Sequence, residues 1–368
     1  MNPVIAKISE LGQSIWYDNI RRGVLVSGEL QALIDDGVVG VTSNPSIFKK
    51  AIADSDDYRA DLACLIDSGA TAIDIYETLA FEDIRRACDL FRPVYERTDR
   101  RDGYVSIEVH PALADDTEGT IAEAKRIFAA IDRPNVMIKI PATEAGLPAV
   151  TAAIAAGINV NVTLIFSAEV YRAVIDAYLA GLETLHVGGG DLSRVASVAS
   201  FFVSRVDTLV DKLLRAGIDA GRTELTALLG KAAVANTKIA YHVYKREYAG
   251  DRFAALRAKG ARVQRPLWAS TSTKDPAYPD LLYVDTLIGP DTVNTVPPVT
   301  LEAIRDHGKA EPTLERDLAA AREVLSRLEP VGISMAEVTE QLKIEGVRAF
   351  ADAFDELIAA IESRRARG

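Results

Sequence analysis

Residues 135–146 read NVMIKIPATEAG. One cation, Lys139, interrupts the apolar run Val136, Met137, Ile138 and Ile140, and Pro141 closes it. Apolar residues stopped by a proline mark a short strand. Lysine is among the residues least often fully buried unless it is paired. Strand geometry removes the conflict, because successive side chains point to opposite faces. Ile138 and Ile140 share one face, fit to pack on helices. Met137 and Lys139 share the other, facing inward.

Outward from this stretch, short β-rich runs alternate with longer helical patterns. The runs lie at 14–20, 38–44, 103–109, 135–140, 158–166, 195–202, 265–271 and 281–287. Helical spacing is clear in TEGTIAEAKRIFAAI (117–131), in SAEVYRAVIDAYLAGLETL (167–185) behind a capping serine, and in a long terminal segment begun by Ser334. Such alternation signals parallel βα units. Eight strands with crossover helices predict an α/β fold, a closed (β/α)8 TIM barrel in preference to an open doubly wound sheet. Two regions depart from simple alternation: extra helices follow strand two, over 45–102, and strand eight, over 300–368. No linker or low-complexity tract divides the chain, so residues 1–368 read as one barrel domain.

The net charge of −11 argues against a nucleic-acid or anionic-membrane surface, though local cations can still build a phosphate site. The N-terminal MNPVIAKISELGQ carries no apolar signal core, and no stretch approaches a membrane span of roughly 20 apolar residues. The two cysteines, Cys64 and Cys88, lack metal spacing. These features predict a soluble protein of a reducing compartment, the cytoplasm. The four histidines, His110, His186, His242 and His307, have no metal-ligand spacing. The GGGD at 188–191 is not followed by GK[ST] and reads as a loop.

The strands carry polar residues towards their C-terminal ends, each on one face. Asn159, Asn161 and Thr163 oppose Ile158, Val160, Val162 and Leu164. Ser106 and Glu108 oppose Ile107 and Val109. Asp18 shares a face with Trp16, Asn44 with Thr42, and Ser200 with Phe202. In a barrel this end is the mouth where active sites sit.

A lysine enclosed there has a chemical use. With an ordinary pKa near 10.4, only about one molecule in a thousand is neutral at pH 7.4, and only the neutral amine attacks a carbonyl. Desolvation favours the neutral form, and a depression of about three units represents roughly 4 kcal/mol. Schiff-base chemistry with a ketone or aldehyde is the natural reading. It also needs proton transfer, for which Asp18 and Glu108 are the candidates. The same carboxylates would otherwise serve as salt-bridge partners of a buried cation. Asn44, Asn161, Thr163 and Ser200 could hold substrate hydroxyls and a water, or be polar groups satisfied at strand ends.

Four motifs in order now resemble the transaldolase family. GVTSNPSIF (40–48) resembles its first signature, and VMIKIPAT (136–143) the segment with the Schiff-base lysine. SIEVHPALADDT (106–117) resembles the strand of the catalytic glutamate, and INVNVTLIFS (158–167) the Asn-x-Thr strand. The resemblance spans roughly residues 14–290 and suggests the longer bacterial form. It implies that Lys139 is the nucleophile, that Glu108 acts as acid and base through a water near Thr163, and that Asp18 takes and returns the proton of the cleaved hydroxyl. It further implies that Asn44, Asn161 and Ser200 hold the dihydroxyacetone unit, and that Arg205 holds a sugar phosphate. The family's second phosphate segment reads Ser-Phe-Arg. WASTSTKDP (268–276) supplies Ser270 but no following arginine, and Lys274 is the available cation there.

The implied reaction moves dihydroxyacetone from a ketose phosphate, sedoheptulose 7-phosphate or fructose 6-phosphate, to an aldose phosphate in the non-oxidative pentose phosphate pathway. It needs no metal or organic cofactor. Sugar phosphates are the implied partners, and a homo-oligomer is left open. Two rivals remain: a fructose-6-phosphate aldolase of the same superfamily, and a silent sugar-phosphate-binding barrel. The aldolases typically carry Gln and Tyr where this chain has Glu108 and Phe202. Retention of Lys139, Glu108 and Asp18 argues against the silent barrel.

Overall fold

In the computed structural model, residues 1–53 and 55–366 are described. The remaining positions of the 1–368 domain reading, 54, 367 and 368, lie outside the described residues.

Seven strands form one parallel sheet: β1 (Gln13–Tyr17), β2 (Val105–Glu108), β3 (Val136–Pro141), β4 (Val160–Ile165), β5 (Ser197–Phe202), β6 (Arg265–Ala269) and β7 (Thr292–Val296). Their order is β1-β7-β6-β5-β4-β3-β2, and the sheet curls. The expected strand at 38–44 is not a regular strand. It makes isolated bridges at Val41 alone, to Tyr17 on one side and Val105 on the other. Backbone bonds from Val39, Val41 and Thr42 nonetheless run to both sheet edges: Val39 N to Ile15 O (2.9 Å), Val41 N to Tyr104 O (2.9 Å) and Thr42 N to Tyr17 O (2.9 Å). Gly40 explains the tight fit, since a Cβ there would lie 2.5 Å from the Trp16 ring. The segment ends early because Asn44 caps the Pro45–Phe48 helix.

The reading of 281–287 as a strand is wrong. Leu282–Asp285 is a short helix. Buried Leu281, Val284, Leu287 and Ile288 recur at helical spacing, which a run of LLYVDTL hides among β-formers. The last strand comes later, in TVNTV, bounded by Asp291 and Pro297. The other readings are correct in kind with bounds off by up to three residues: most run too long, while 14–20 misses Gln13 and 135–140 is shifted by one from Val136–Pro141.

Helices form where capping and spacing agree. Ser167 caps Ala168–Val187 as expected, while Asp116 caps Thr117–Ile131 and Ser334 caps Met335–Arg365. Pro45–Phe48, Arg59–Asp67 and Ala72–Arg97 lie between the 38–44 segment and β2. Pro298–His307, Leu318–Ser326 and Met335–Arg365 follow β7. The outward isoleucines of β3, Ile138 and Ile140, are fully buried in the apolar core.

The terminal helix settles a point the sequence left open. It lies across the C-terminal ends of the strands. Phe354 packs on His110 (4.3 Å between ring centroids) and on Tyr76 (5.2 Å). Gly346 permits this approach, since a Cβ there would lie 2.9 Å from Leu164 Cδ2. No helix among the described residues is long and apolar enough to cross a membrane.

Candidate active site

Lys139 is 5% exposed. The pleat of β3 sends it to the interior, as its alternation requires. Its Nζ stands 2.8 Å from Glu108 Oε1 and donates to the Ser43 carbonyl at 3.0 Å. The register pairs Glu108 of β2 with Lys139 and Lys139 with Asn161 of β4, so three polar side chains stand at one level on adjacent strands. Asn161 is completely buried. Its amide donates to Ser106 Oγ (3.1 Å) and its carbonyl accepts from Ser200 Oγ (2.7 Å). That chain crosses from β2 through β4 to β5 and confirms that these faces point inward.

Asp18 closes the ring on the other side. Thr42 donates to its carboxylate at 2.7 Å, and Thr42 and Thr295 hydroxyls lie 2.6 Å apart. Burial raises the Asp18 carboxyl above the ordinary range, while the Thr42 bond and the Lys139 and Lys274 charges oppose it. Burial likewise raises Glu108; Lys139 opposes that shift and Asp18 adds to it. The charges close to Lys139 are therefore carboxylates, with the cations set further out at the rim.

Glu108 Oε2 and Thr163 Oγ1 are buried here with no hydrogen-bond partner among the described residues, and Glu108 Oε1 has only the Lys139 ion pair. Buried polar groups are normally paired, so such orphans mark where a ligand or water belongs. A cavity of about 20 Å³, room for about one water, lies beside them, lined by Glu108, Lys139, Thr163, Leu164, Val347 and Phe350. The last two come from the terminal helix, and the Phe350 ring centroid is 5.6 Å from Lys139 Nζ.

The Asn44 side-chain oxygen accepts from Ile47 N at 3.0 Å as a helix cap, which leaves its NH₂ and one oxygen lone pair for a ligand. Phe202 sits at the rim, 5.2 Å from the Arg205 guanidinium and 5.2 Å from the Phe166 ring. Arg205 and Lys274 make no ion pair among the described residues. Burial lowers both, and Arg205 further lowers Lys274. Ser270 Oγ lies 2.9 Å from Ser204 Oγ, next to Arg205. The loop bearing Lys274 is tied to the Arg205 helix, Ser204–Asp219, by Arg215–Asp275 and by Tyr278 donating to Asp211 at 2.6 Å.

Leu164 and Ser270 both adopt left-handed backbone, with φ of 60° and 55°. A register shift accompanies the first. Non-glycine residues held this way cluster at sites that a surrounding structure over-determines.

Sequence reasoning missed Phe350, Thr295 and Asn294. Asn294 accepts from Thr271 at 2.8 Å, and its own NH₂ is buried without a partner. The signal for the last two was available in DTVNTVPP (291–298). Phe350 carried no local signal, because helical spacing shows an apolar stripe and not what it covers.

Known proteins resemble the chain along almost its whole length. The family model described as Transaldolase/Fructose-6-phosphate aldolase matches residues 15–361. A transaldolase of Trichodesmium erythraeum is 50% identical over 98% of this chain and 97% of its own. One from Thermobifida fusca is 50% identical over 100% and 99%, and transaldolase 1 of Streptomyces avermitilis is 52% identical over 99% and 96%. The chain belongs to the transaldolase/fructose-6-phosphate aldolase family.

Proposed function

We propose that this protein is a transaldolase, with all of its described elements forming one (β/α)8 barrel in which the Val41 segment completes the ring and the helices around it are additions. The observation that carries the reading is the buried Lys139–Glu108 pair at 2.8 Å beside two unpaired oxygens. The substrates are sugar phosphates, sedoheptulose 7-phosphate or fructose 6-phosphate as donor and an aldose phosphate as acceptor, and the setting is the cytoplasmic pentose phosphate pathway.

Lys139 needs a neutral amine to attack. Proton transfer along the 2.8 Å contact turns an ion pair into an amine and a carboxylic acid, leaving no charge to desolvate. The raised Glu108 carboxyl supports that transfer. The amine nitrogen bonds to the ketose carbonyl carbon, and the oxygen takes up a proton from Glu108. The nitrogen gives one of its two protons to Glu108, which passes it to that hydroxyl, so the oxygen leaves as water and the protonated imine remains. Glu108 Oε2 and Thr163 Oγ1 are the groups suited to hold the water. Asp18 takes the hydroxyl proton, the adjacent C–C bond breaks, and its electron pair moves onto the imine to give the enamine. The aldose phosphate leaves. The enamine adds to the acceptor aldehyde, Asp18 returns its proton, and water releases the new ketose.

Asn161, Ser200 and the Asn44 amide face the dihydroxyacetone hydroxyls in this reading. Arg205 and Lys274, with Ser270, hold the phosphate. Two cations that repel each other across a partly dry rim are stabilised by an anion between them. Phe202 carries Arg205 on its ring.

Fructose 6-phosphate supplied with erythrose 4-phosphate tests the assignment. The expected product is sedoheptulose 7-phosphate without accumulating free dihydroxyacetone. Free dihydroxyacetone as the main product would instead indicate an aldolase, and no product from either assay would leave the silent barrel.

A further inference from the structure

We propose that the end of the barrel opposite the lysine holds a binding site for a small polyphosphate anion, built on Arg100, Arg257 and Arg262. Two adjoining cavities open there, of about 300 and 560 Å³, and Arg100 borders both. The smaller is lined by five arginines with a single carboxylate, Asp291, on a chain whose net charge is −11.

The arginines divide by what they already hold. Arg265 pairs with Asp102 at 2.8 Å, Arg101 with Asp291 at 3.2 Å, and Arg262 with the exposed Asp99 at 2.8 Å. Arg100 and Arg257 have no ion pair among the described residues, and Arg257 only lies over the Phe253 ring at 4.8 Å. Arg194, on the wider cavity, makes no ion pair among the described residues, although the Asp191 carboxylate on the same cavity is lowered by its Ser193 hydrogen bonds and then by Arg194 and Arg100. Burial raises the Tyr95 hydroxyl, and Arg100, Arg92, Arg194 and Arg262 all pull it down. Asp99 and Arg100 are both left-handed, with φ of 49° and 65°, where a helix end would ordinarily use glycine. That turn directs Arg100 between the cavities.

Guanidiniums bind phosphate oxygens through a planar two-point fork. Forks spread around a space larger than one phosphate fit a ligand with two or more phosphate groups. A long polyanion would meet the acidic remainder of the surface, which selects a small one.

Tripolyphosphate titrated into the full-length protein by calorimetry, at about 50 and 150 mM salt, is the test. One-site saturable binding that weakens with salt is expected. Arg100→Ala/Arg257→Ala should weaken it about tenfold or more while transferase activity stays within about twofold. Arg257→Gln alone, on an exposed side chain, guards against misfolding and should weaken it by a smaller factor. Arg205→Ala, at the mouth, should leave it unchanged. Absence of saturable heat overturns the proposal, as does binding that survives the double substitution or is lost with Arg205→Ala.

Discussion

Two buried cation–carboxylate pairs stand at opposite ends of the same curled sheet. Lys139–Glu108 and Arg265–Asp102 both measure 2.8 Å, and each partner's side chain is 7–8% exposed. Their surroundings differ. Arg265 also donates to Ser14 Oγ (2.8 Å) and to the Arg101 carbonyl (2.6 Å), and Asp102 accepts from Ser14 and from the Trp16 indole. Both members of that pair have further partners, although Gln13 Oε1, Asn135 Oδ1 and Gln264 Oε1 on adjoining residues are buried without one. At the other end Glu108 Oε2, Thr163 Oγ1 and the Asn294 NH₂ are left unpaired. A pair tied to several neighbours is fixed in place; a pair whose carboxylate keeps an unused oxygen beside a cavity can still take a ligand. Arginine with its fork suits the first task, and lysine, able to lose its proton, suits the second.

The contrast breaks first at Lys139. Lys139→Ala should lower kcat by at least about 10⁴-fold, the scale on which loss of a covalent nucleophile acts. It should lower thermal stability little, because Glu108, already raised, takes up a proton once its partner is gone. Glu108→Gln should lower kcat by about 10²–10⁴-fold, the ordinary weight of a proton-transfer group. At the structural pair the outcome is reversed. Arg265→Met, which strands Asp102, should cost about 3–5 kcal/mol in denaturant unfolding. A stable Arg265→Met protein would show that the two ends do not differ as described.

Smaller effects sharpen the picture. Lys274→Ala should raise KM for phosphorylated donors about tenfold, near 1.4 kcal/mol, with kcat less affected. An unchanged KM would remove Lys274 from the phosphate site. The pH dependence of stability has a definite sign. A carboxyl raised in the folded state binds a proton more readily there than in the unfolded chain. Its effect is absent below the unfolded value, 4.5 for glutamate, and stability falls as pH rises from there through the raised folded value. Glu108→Gln should therefore flatten the decline of Tm with pH above about 4.5. An equal slope in both proteins would contradict the raised carboxyl.

Much of the mouth was legible because its signal is local. A two-residue period placed Glu108, Lys139, Asn161 and Asp18 on inward faces, and parallel register brought the strand ends level. The last strand was misread because LLYVDTL is rich in β-formers and its helical spacing spans only two turns, while TVNTV is short and polar. Asn44 as a cap was legible in Asn-Pro-Ser-Ile, yet the same residues also resembled a binding motif. Phe350 lies 211 positions from Lys139 in the chain, and no local pattern links them. Where a terminal helix docks is decided by the whole fold.

The central claim is that Lys139 bonds covalently to a ketose. Borohydride added with fructose 6-phosphate should reduce the imine and increase the intact mass by one reduced dihydroxyacetone or hexose phosphate unit, mapped to the peptide of Lys139. Lys139→Ala should gain nothing. No mass gain in the native protein, or an equal gain in Lys139→Ala, would contradict it.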